Sequence, residues 1–222
     1  DVTVTYSDLG TGTATAGADY TTFNSQSLTI SAGDENNTFN LTVADDNINE
    51  LDQTIIFAIS NPTNASLGNA QQIYTITNDD DEPFCGFELG SSNVTEGDAG
   101  NTTHSINIIL KDDSGNTITS EKDITFNYSI NAADGGTASG NGTDYTLDAG
   151  VLTIDAGQSS INLDVAIVGD LLYEDNETII IALDPDGGGI TNAQGGTLGH
   201  TITIQEDDAA PRIQFSSDNV SG

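Results

Sequence analysis

Asp123-Ile124-Thr125-Phe126-Asn127-Tyr128-Ser129-Ile130-Asn131 alternates polar and apolar side chains over its whole length. A period of two marks a half-buried strand, because successive side chains on extended backbone point to opposite faces. Ile124, Phe126, Tyr128 and Ile130 therefore share one face. Outward from this stretch, 105–110, 151–154, 161–167, 178–183 and 201–205 read as further strands, each bounded by Gly, Asp, Asn or Ser that favour turns. No helical pattern interrupts them. About seven such strands in succession predict a two-sheet sandwich with antiparallel pairing. Tyr20, Tyr145, Phe126 and Phe57 are read as core or corner residues.

The stretch also has a counterpart. Asp1-Val2-Thr3-Val4-Thr5-Tyr6 resembles Asp123 to Tyr128, and the likeness continues in order. Gly17-Ala18-Asp19-Tyr20 answers Gly142-Thr143-Asp144-Tyr145. Leu28-Thr29-Ile30-Ser31-Ala32-Gly33 answers Leu152-Thr153-Ile154-Asp155-Ala156-Gly157, and Glu50 to Ile56 answers Glu174 to Ile180. Ordered matches at a nearly constant offset mean a tandem repeat. Residues 83–210 form a complete module. Residues 1–82 form one lacking its first part, the counterpart of 84–122, read as two strands. Pro211-Arg212-Ile213-Gln214-Phe215 repeats Pro83-Phe84-Cys85-Gly86-Phe87, so 211–222 is expected to begin a third module. The expected partners are neighbouring modules of the same chain or identical subunits, with strand complementation as one route.

Charge narrows the function. The chain has 35 acidic residues against 3 basic ones, a formal net charge of −32. Nucleic acid and anionic membrane surfaces need basic patches and are excluded as partners, and no segment reads as a membrane insertion. The acids gather in loops: Asp45 to Glu50 and Asp170 to Glu177 after one strand, Asn78 to Glu82 and Glu206 to Asp208 after another. Asp19 or Asp144 follows a Gly-rich turn, and Glu96 opens the second module. Loops at one end of a sandwich converge, and crowded carboxylates raise one another's pKa unless a cation sits among them. Six to eight hard oxygen ligands are what Ca²⁺ takes, whereas Mg²⁺ prefers fewer protein ligands and strict octahedral geometry.

These residues resemble the Calx-beta domain. The likeness rests on Gly12-Thr13-Ala14 with Gly17-Ala18-Asp19-Tyr20, the acidic loop through Glu50 and Asp79-Asp80-Asp81. In the second module it rests on Asn93-Val94-Thr95-Glu96-Gly97, Gly142 to Tyr145, Glu174 to Glu177 and Glu206-Asp207-Asp208. It implies an all-β fold of tandem antiparallel, immunoglobulin-like sandwiches with calcium sites at one end. By position it implies Glu96, Asp144, Asp170, Glu174, Glu177, Asp207 and Asp208 as ligands in the complete module, with the Leu172 carbonyl. In the first module the counterparts are Asp19, Asp45, Asp46, Glu50, Asp79, Asp80 and Asp81, with the Ile48 carbonyl. Gly169 stands in place of an acid, Ala209 ends the last acid run early, and Gln53 stands where Glu177 does. One or two ions per module follow.

The functional expectation is a calcium-binding structural module of a large extracellular or cell-surface adhesion or filament protein, Ca²⁺ rigidifying the junctions between sandwiches. The alternative is a regulatory calcium-sensor pair of a membrane transporter. An enzyme is not expected. The two histidines, His104 and His200, do not recur between modules, and no nucleophile motif is present. Cys85, the single cysteine, receives no role.

Overall fold

The computed structural model describes residues 1–131, 135–184 and 187–215. It divides into two compact units with the boundary between Asp81 and Glu82. Residues 216–222, the end of the segment expected to begin a third module, lie outside the described residues, and 211–215 carry no strand pairing.

Unit 1 is a single sheet of β1 (Val2–Asp8), β2 (Gln26–Ile30), β3 (Gln53–Thr63) and β4 (Gln71–Ile76), in the order β2-β1-β3-β4. Its buried core is Tyr20, Ile55 and Phe57, with Phe23, Phe39 and Leu41 packed against it from the segments between strands. Aromatic rings do much of the packing: Tyr6 stacks on Phe39 at 4.3 Å, and Phe39 meets Phe57 edge-on at 5.3 Å. Gly12 allows the Gly-rich segment to lie on β3, since a Cβ there would stand 2.0 Å from the Thr54 carbonyl oxygen.

Unit 2 holds β5 (Phe84–Phe87), β6 (Ser91–Thr95), β7 (Gly100–Lys111), β8 (Ile124–Ile130), β9 (Tyr145–Thr146), β10 (Gly150–Ile154), β11 (Ser160–Gly169), β12 (Glu177–Leu183), β13 (Gln194–Gly195) and β14 (Gly199–Gln205). They form two five-stranded sheets, β10-β8-β12-β14-β6 and β13-β5-β7-β11-β9. Between them lies one core, to which Phe126, Ile181 and Ile202 contribute from the first sheet and Phe87, Ile108 and Val165 from the second. The chain is therefore all-β, with a sandwich in unit 2.

Three features differ from the sequence reading. Among its described residues unit 2 has ten strands rather than about seven, because the opening strand is split into β5 and β6 and two-residue pairings form β9 and β13. For the same reason the 84–122 region carries three strands, β5 to β7, not two. Two pairings, β6 with β14 and β5 with β13, are parallel. Both join the first part of the module to its last, a pairing across the chain that local turn signals do not encode.

The repeat is visible in hydrogen bonds as well as in sequence. Thr54 N–H donates to Thr13 Oγ1 at 2.9 Å, and Thr178 N–H donates to Thr137 Oγ1 at 2.9 Å. Asn64 and Asn192 both adopt φ 59° and donate through Nδ2 to the carbonyls of Asp1 and Asp123, each at 2.9 Å. Asn is among the few residues that take this left-handed conformation at low cost.

Alternation in β8 and β10 gives a direct test. Phe126 is 1% exposed, whereas Val151, on the pairing strand but the outer face, is 65% exposed. Phe126→Ala is expected to cost about 3–5 kcal/mol in denaturant unfolding, and Val151→Ala less than about 0.5 kcal/mol. Equal effects would mean that the face assignment is wrong.

Candidate metal centre

Five strand ends of unit 2 deliver acidic side chains to one place. Glu96 follows β6 and is 6% exposed; Asp144 precedes β9 and is 7% exposed. Asp170 follows β11, Glu177 opens β12 with Glu174 in the loop before it, and Glu206 follows β14. Oxygens of Asp144, Glu174 and Glu177 all lie within 4.8 Å of one another. Two oxygens on one Ca²⁺ at its usual 2.3–2.6 Å are at most about 5 Å apart, so one ion fits among the three.

Local chemistry fixes the loops. Asp144 Oδ2 accepts the Ser139 N–H at 2.5 Å, as Asp19 Oδ2 accepts the Thr15 N–H at 2.5 Å in unit 1. Asp170 Oδ1 accepts the Leu172 N–H at 2.6 Å and Asp46 Oδ1 the Ile48 N–H at 2.8 Å, the same Asx turn in both units. Leu172 and Ile48, expected as carbonyl ligands, engage these loops through their N–H groups. Glu174 N–H donates to the Glu206 carboxylate, whose Oε1 also accepts the Asp208 N–H at 2.5 Å. Asp207 is exposed and accepts the Gly97 N–H through Oδ1 at 3.0 Å.

The strand that leads to Glu96 is anchored four residues earlier. That strand, β6, is tied to β7 and β14 by Ser92 Oγ, which lies 2.8 Å from both His104 Nε2 and His200 Nε2. His200 Nδ1 donates to the Leu89 carbonyl at 2.7 Å, so its Nε2 accepts from Ser92, and Ser92 Oγ accepts from His104. Burial lowers the pKa of both imidazoles, which favours their neutral forms. Gly169 has a packing reason: a Cβ there would meet the Gly97 carbonyl oxygen at 2.2 Å. An acid at that position would push the end of β6 away.

The electrostatics show the cost of this crowding. Burial, then the charges of Asp170, Glu174 and Glu206, push the Glu96 carboxyl up to about 7. Glu177 is raised by burial and by Asp144, to which it is hydrogen-bonded, and Glu174 by burial and then Asp144. Asp208 is raised by burial and then Glu206, and its Oδ2 is buried with no hydrogen-bond partner. A buried acceptor without a donor, beside carboxylates that resist ionising together, is the donor set a hard cation fits.

Unit 1 repeats the arrangement in weaker form. Asp19, Asp45, Asp46, Glu50, Asp79 and Asp80 line a cleft of about 260 Å³. Burial raises Asp80, followed by Asp79, Asp46, Asp45 and Asp81. Among the described residues, however, the compact triad forms in unit 2 only. The reason is neutral replacement: buried Gln53 stands for Glu177, and Asn78 stands for Glu206. Asn78 Oδ1 accepts the Glu50 N–H at 2.8 Å, as Glu206 accepts that of Glu174. Glu206 was not among the expected ligands. Its place at the head of the Glu206-Asp207-Asp208 run, opposite Asn78, was the available signal. Cys85 is fully buried, with its thiol pushed up to about 12 by burial, so it is inert.

Two-sheet sandwiches whose strand ends crowd carboxylate oxygens define a class, that of cation-binding β modules. The sequence profile of the Calx-beta domain matches residues 1–82 and 78–208. The chain belongs to that family of calcium-binding domains, as a tandem pair. Among solved structures, the apo-form Calx CBD1 domain is 20% identical with a TM-score of 0.45, over 58% of this chain and 100% of that one. The CBD12 structure from CALX1.2 is 15% identical with a TM-score of 0.40, over 90% of this chain and 86% of that one. Calcium binding domain CBD12 of CALX1.1 is 17% identical with a TM-score of 0.38, over the same shares. No curated protein matches significantly.

Metal-free protein has a defined pH dependence. A carboxyl whose pKa rises from 4.5 to about 7 on folding, as at Glu96, adds stability in full below about 4.5. That contribution is lost as pH rises through about 7, and the raised Glu177 acts in the same direction. In chelator, the melting temperature is expected to climb as pH falls from about 8 to about 6. Saturating calcium is expected to flatten the climb, since the ion takes the protons' role. A chelated melt independent of pH over this range would contradict the crowding.

Proposed function

We propose that this chain is a calcium-binding structural pair of modules from a large extracellular adhesion or filament protein. Ca²⁺ at the acidic loops removes their mutual repulsion and stiffens the array. The observation that carries this reading is the Asp144, Glu174 and Glu177 cluster, with Glu96, Asp170 and Glu206 around it. In both units the last acid run leads straight into a short linker, Asp79-Asp80-Asp81 into Glu82-Pro83 and Glu206-Asp207-Asp208 into Ala209-Ala210-Pro211. An ion that orders the run also orders the start of the linker.

The ion's work is structural. Asp144, Glu174 and Glu177 would hold it, with Asp170, Asp208, Glu96 and Glu206 within the same charged neighbourhood. Bound Ca²⁺ supplies positive charge where the chain has none. Binding to the folded state alone raises stability by mass action. A second reading, a regulatory calcium-sensor pair of a membrane transporter, is supported by the Calx-beta match, which occurs twice in succession in this chain. The two differ in the affinity they require. Extracellular structural sites work at about 10⁻⁴–10⁻³ M and sensors at about 10⁻⁷–10⁻⁵ M.

Isothermal titration with calcium tests both. Wild type is expected to bind in the weaker range, with an accompanying rise in melting temperature. Glu177→Gln should lower unit 2 affinity by about tenfold or more, since ligand charge sets calcium affinity. Gln53→Glu, which restores the third carboxylate beside Asp19 and Glu50, should strengthen the unit 1 site. Micromolar or tighter binding would favour the sensor reading, and no calcium-dependent heat or melt would refute both.

A further inference from the structure

We propose that His104 and His200 form a second metal site in unit 2, for an imidazole-preferring divalent ion, Cu²⁺ or Zn²⁺, that links the two sheets of the sandwich. The site shares no residue with the acidic loops and does not rest on their reading.

The two rings come from opposite sheets. His104 stands on β7 and His200 on β14. Their Nε2 atoms converge on one point, each lying 2.8 Å from Ser92 Oγ. The two nitrogens are therefore no farther apart than twice that distance. Two nitrogens on one Zn²⁺ at about 2.0–2.1 Å are at most about 4 Å apart. Turning the Ser92 hydroxyl aside and rotating the half-buried His104 ring inward brings them within that span.

His200 is already oriented as a ligand. It is 2% exposed, and its Nδ1–H donates to the Leu89 carbonyl at 2.7 Å, which leaves the lone pair on Nε2. A second bond of this kind is what ordinarily orients a metal-binding imidazole. The Phe87 ring, 5.2 Å from the His200 ring, limits its tilt. His104 now presents Nε2–H to Ser92, and moving that proton to Nδ1 frees its lone pair as well. Burial favours the neutral forms of both rings, so the ion displaces no proton from them at neutral pH.

Space for the rest of the coordination shell lies alongside. A cavity of about 160 Å³ is lined by Glu88, Ser92, Ser105, Asn107 and His200. Its polar walls suit water. The Glu88 carboxylate accepts from Asn107 Nδ2 at 3.0 Å and puts negative charge on the wall. Among the described residues no Cys, carboxylate or further His completes a three-ligand cluster with the two rings. The remaining positions fall to water, and the ion exchanges with solvent. Two imidazoles suit Cu²⁺ and Zn²⁺, whereas Ca²⁺ takes oxygen, so the two centres of unit 2 select different ions.

The consequence is a cross-link between β7 and β14. With Cys85 its single cysteine, the chain has no internal disulfide to do this work. Both histidines of the chain lie in unit 2, which sets the stoichiometry at one ion per chain. An ion that needs both sheets in place binds the folded state alone and stabilises it by mass action.

The test is calorimetric titration of Cu²⁺ and of Zn²⁺ into the full chain, carrying no histidine tag, in excess calcium that occupies the carboxylate loops. Electron paramagnetic resonance of the Cu²⁺ form identifies the donor atoms. Wild type is expected to take up one equivalent of Cu²⁺ with hyperfine splitting from imidazole nitrogen. Zn²⁺ should bind more weakly, following the usual order of divalent affinities. Either ion should raise the melting temperature. His104→Gln, at a half-buried position, should keep the β-sheet circular dichroism spectrum and lose affinity at least about tenfold. Copper bound without nitrogen splitting, no uptake by wild type, or uptake that His104→Gln retains in full would overturn the proposal.

Discussion

Carboxylates held close together without cations between them oppose folding, and unit 2 is organised around that opposition. With 35 acidic and 3 basic residues, internal ion pairing cannot neutralise the acid loops. Burial and then the neighbouring carboxylates raise Glu96 and Glu177, in keeping with that opposition. A protein that needed only a soluble surface would spread these charges over exposed strand faces, where water and salt screen them. Here Glu96 and Asp144 are as buried as core residues. Their geometry makes sense as a receptor for positive charge of small radius and high coordination number.

The sandwich exists, from this viewpoint, to set strand ends at fixed separations. β6, β9, β11, β12 and β14 each contribute one acid or one acid run. Glu96, Asp170, Glu177 and Glu206 lie at or next to strand ends, and hydrogen bonds with the Ser139 amide and the Glu206 carboxylate fix Asp144 and Glu174. Ser92 bridges two imidazoles at the start of the strand that leads to Glu96, and Gly169 lets β11 approach the end of β6. Asx turns at Asp46 and Asp170 shape the same loop in each unit. Rigid strands and short turns preorganise the oxygens, so an ion need not order them at full entropic cost.

Much of this was legible in the residues. The alternation in Asp123 to Asn131 and the ordered repeat gave strands and tandem modules, because period two and constant offset are one-dimensional properties. Acid runs at strand ends gave the region of the site for the same reason. Parallel pairing of β6 with β14 was not legible, since it joins positions far apart in the chain and leaves no local turn signal. The role of Glu206 was hidden among adjacent acids. Only its hydrogen bonds to Glu174 and Asp208 distinguish it from Asp207, which faces solvent. The weakness of unit 1 was half visible: Gln53 for Glu177 showed in the alignment, whereas Asn78 for Glu206 needed the matching contacts to the Glu50 and Glu174 amides.

The most direct measurement is a crystal structure of the protein grown in saturating calcium. The account predicts density for an ion bound by oxygens of Asp144, Glu174 and Glu177 at about 2.3–2.6 Å, with further oxygens completing its shell. Those three carboxylates pointing apart into solvent, with no ion among them, would contradict it.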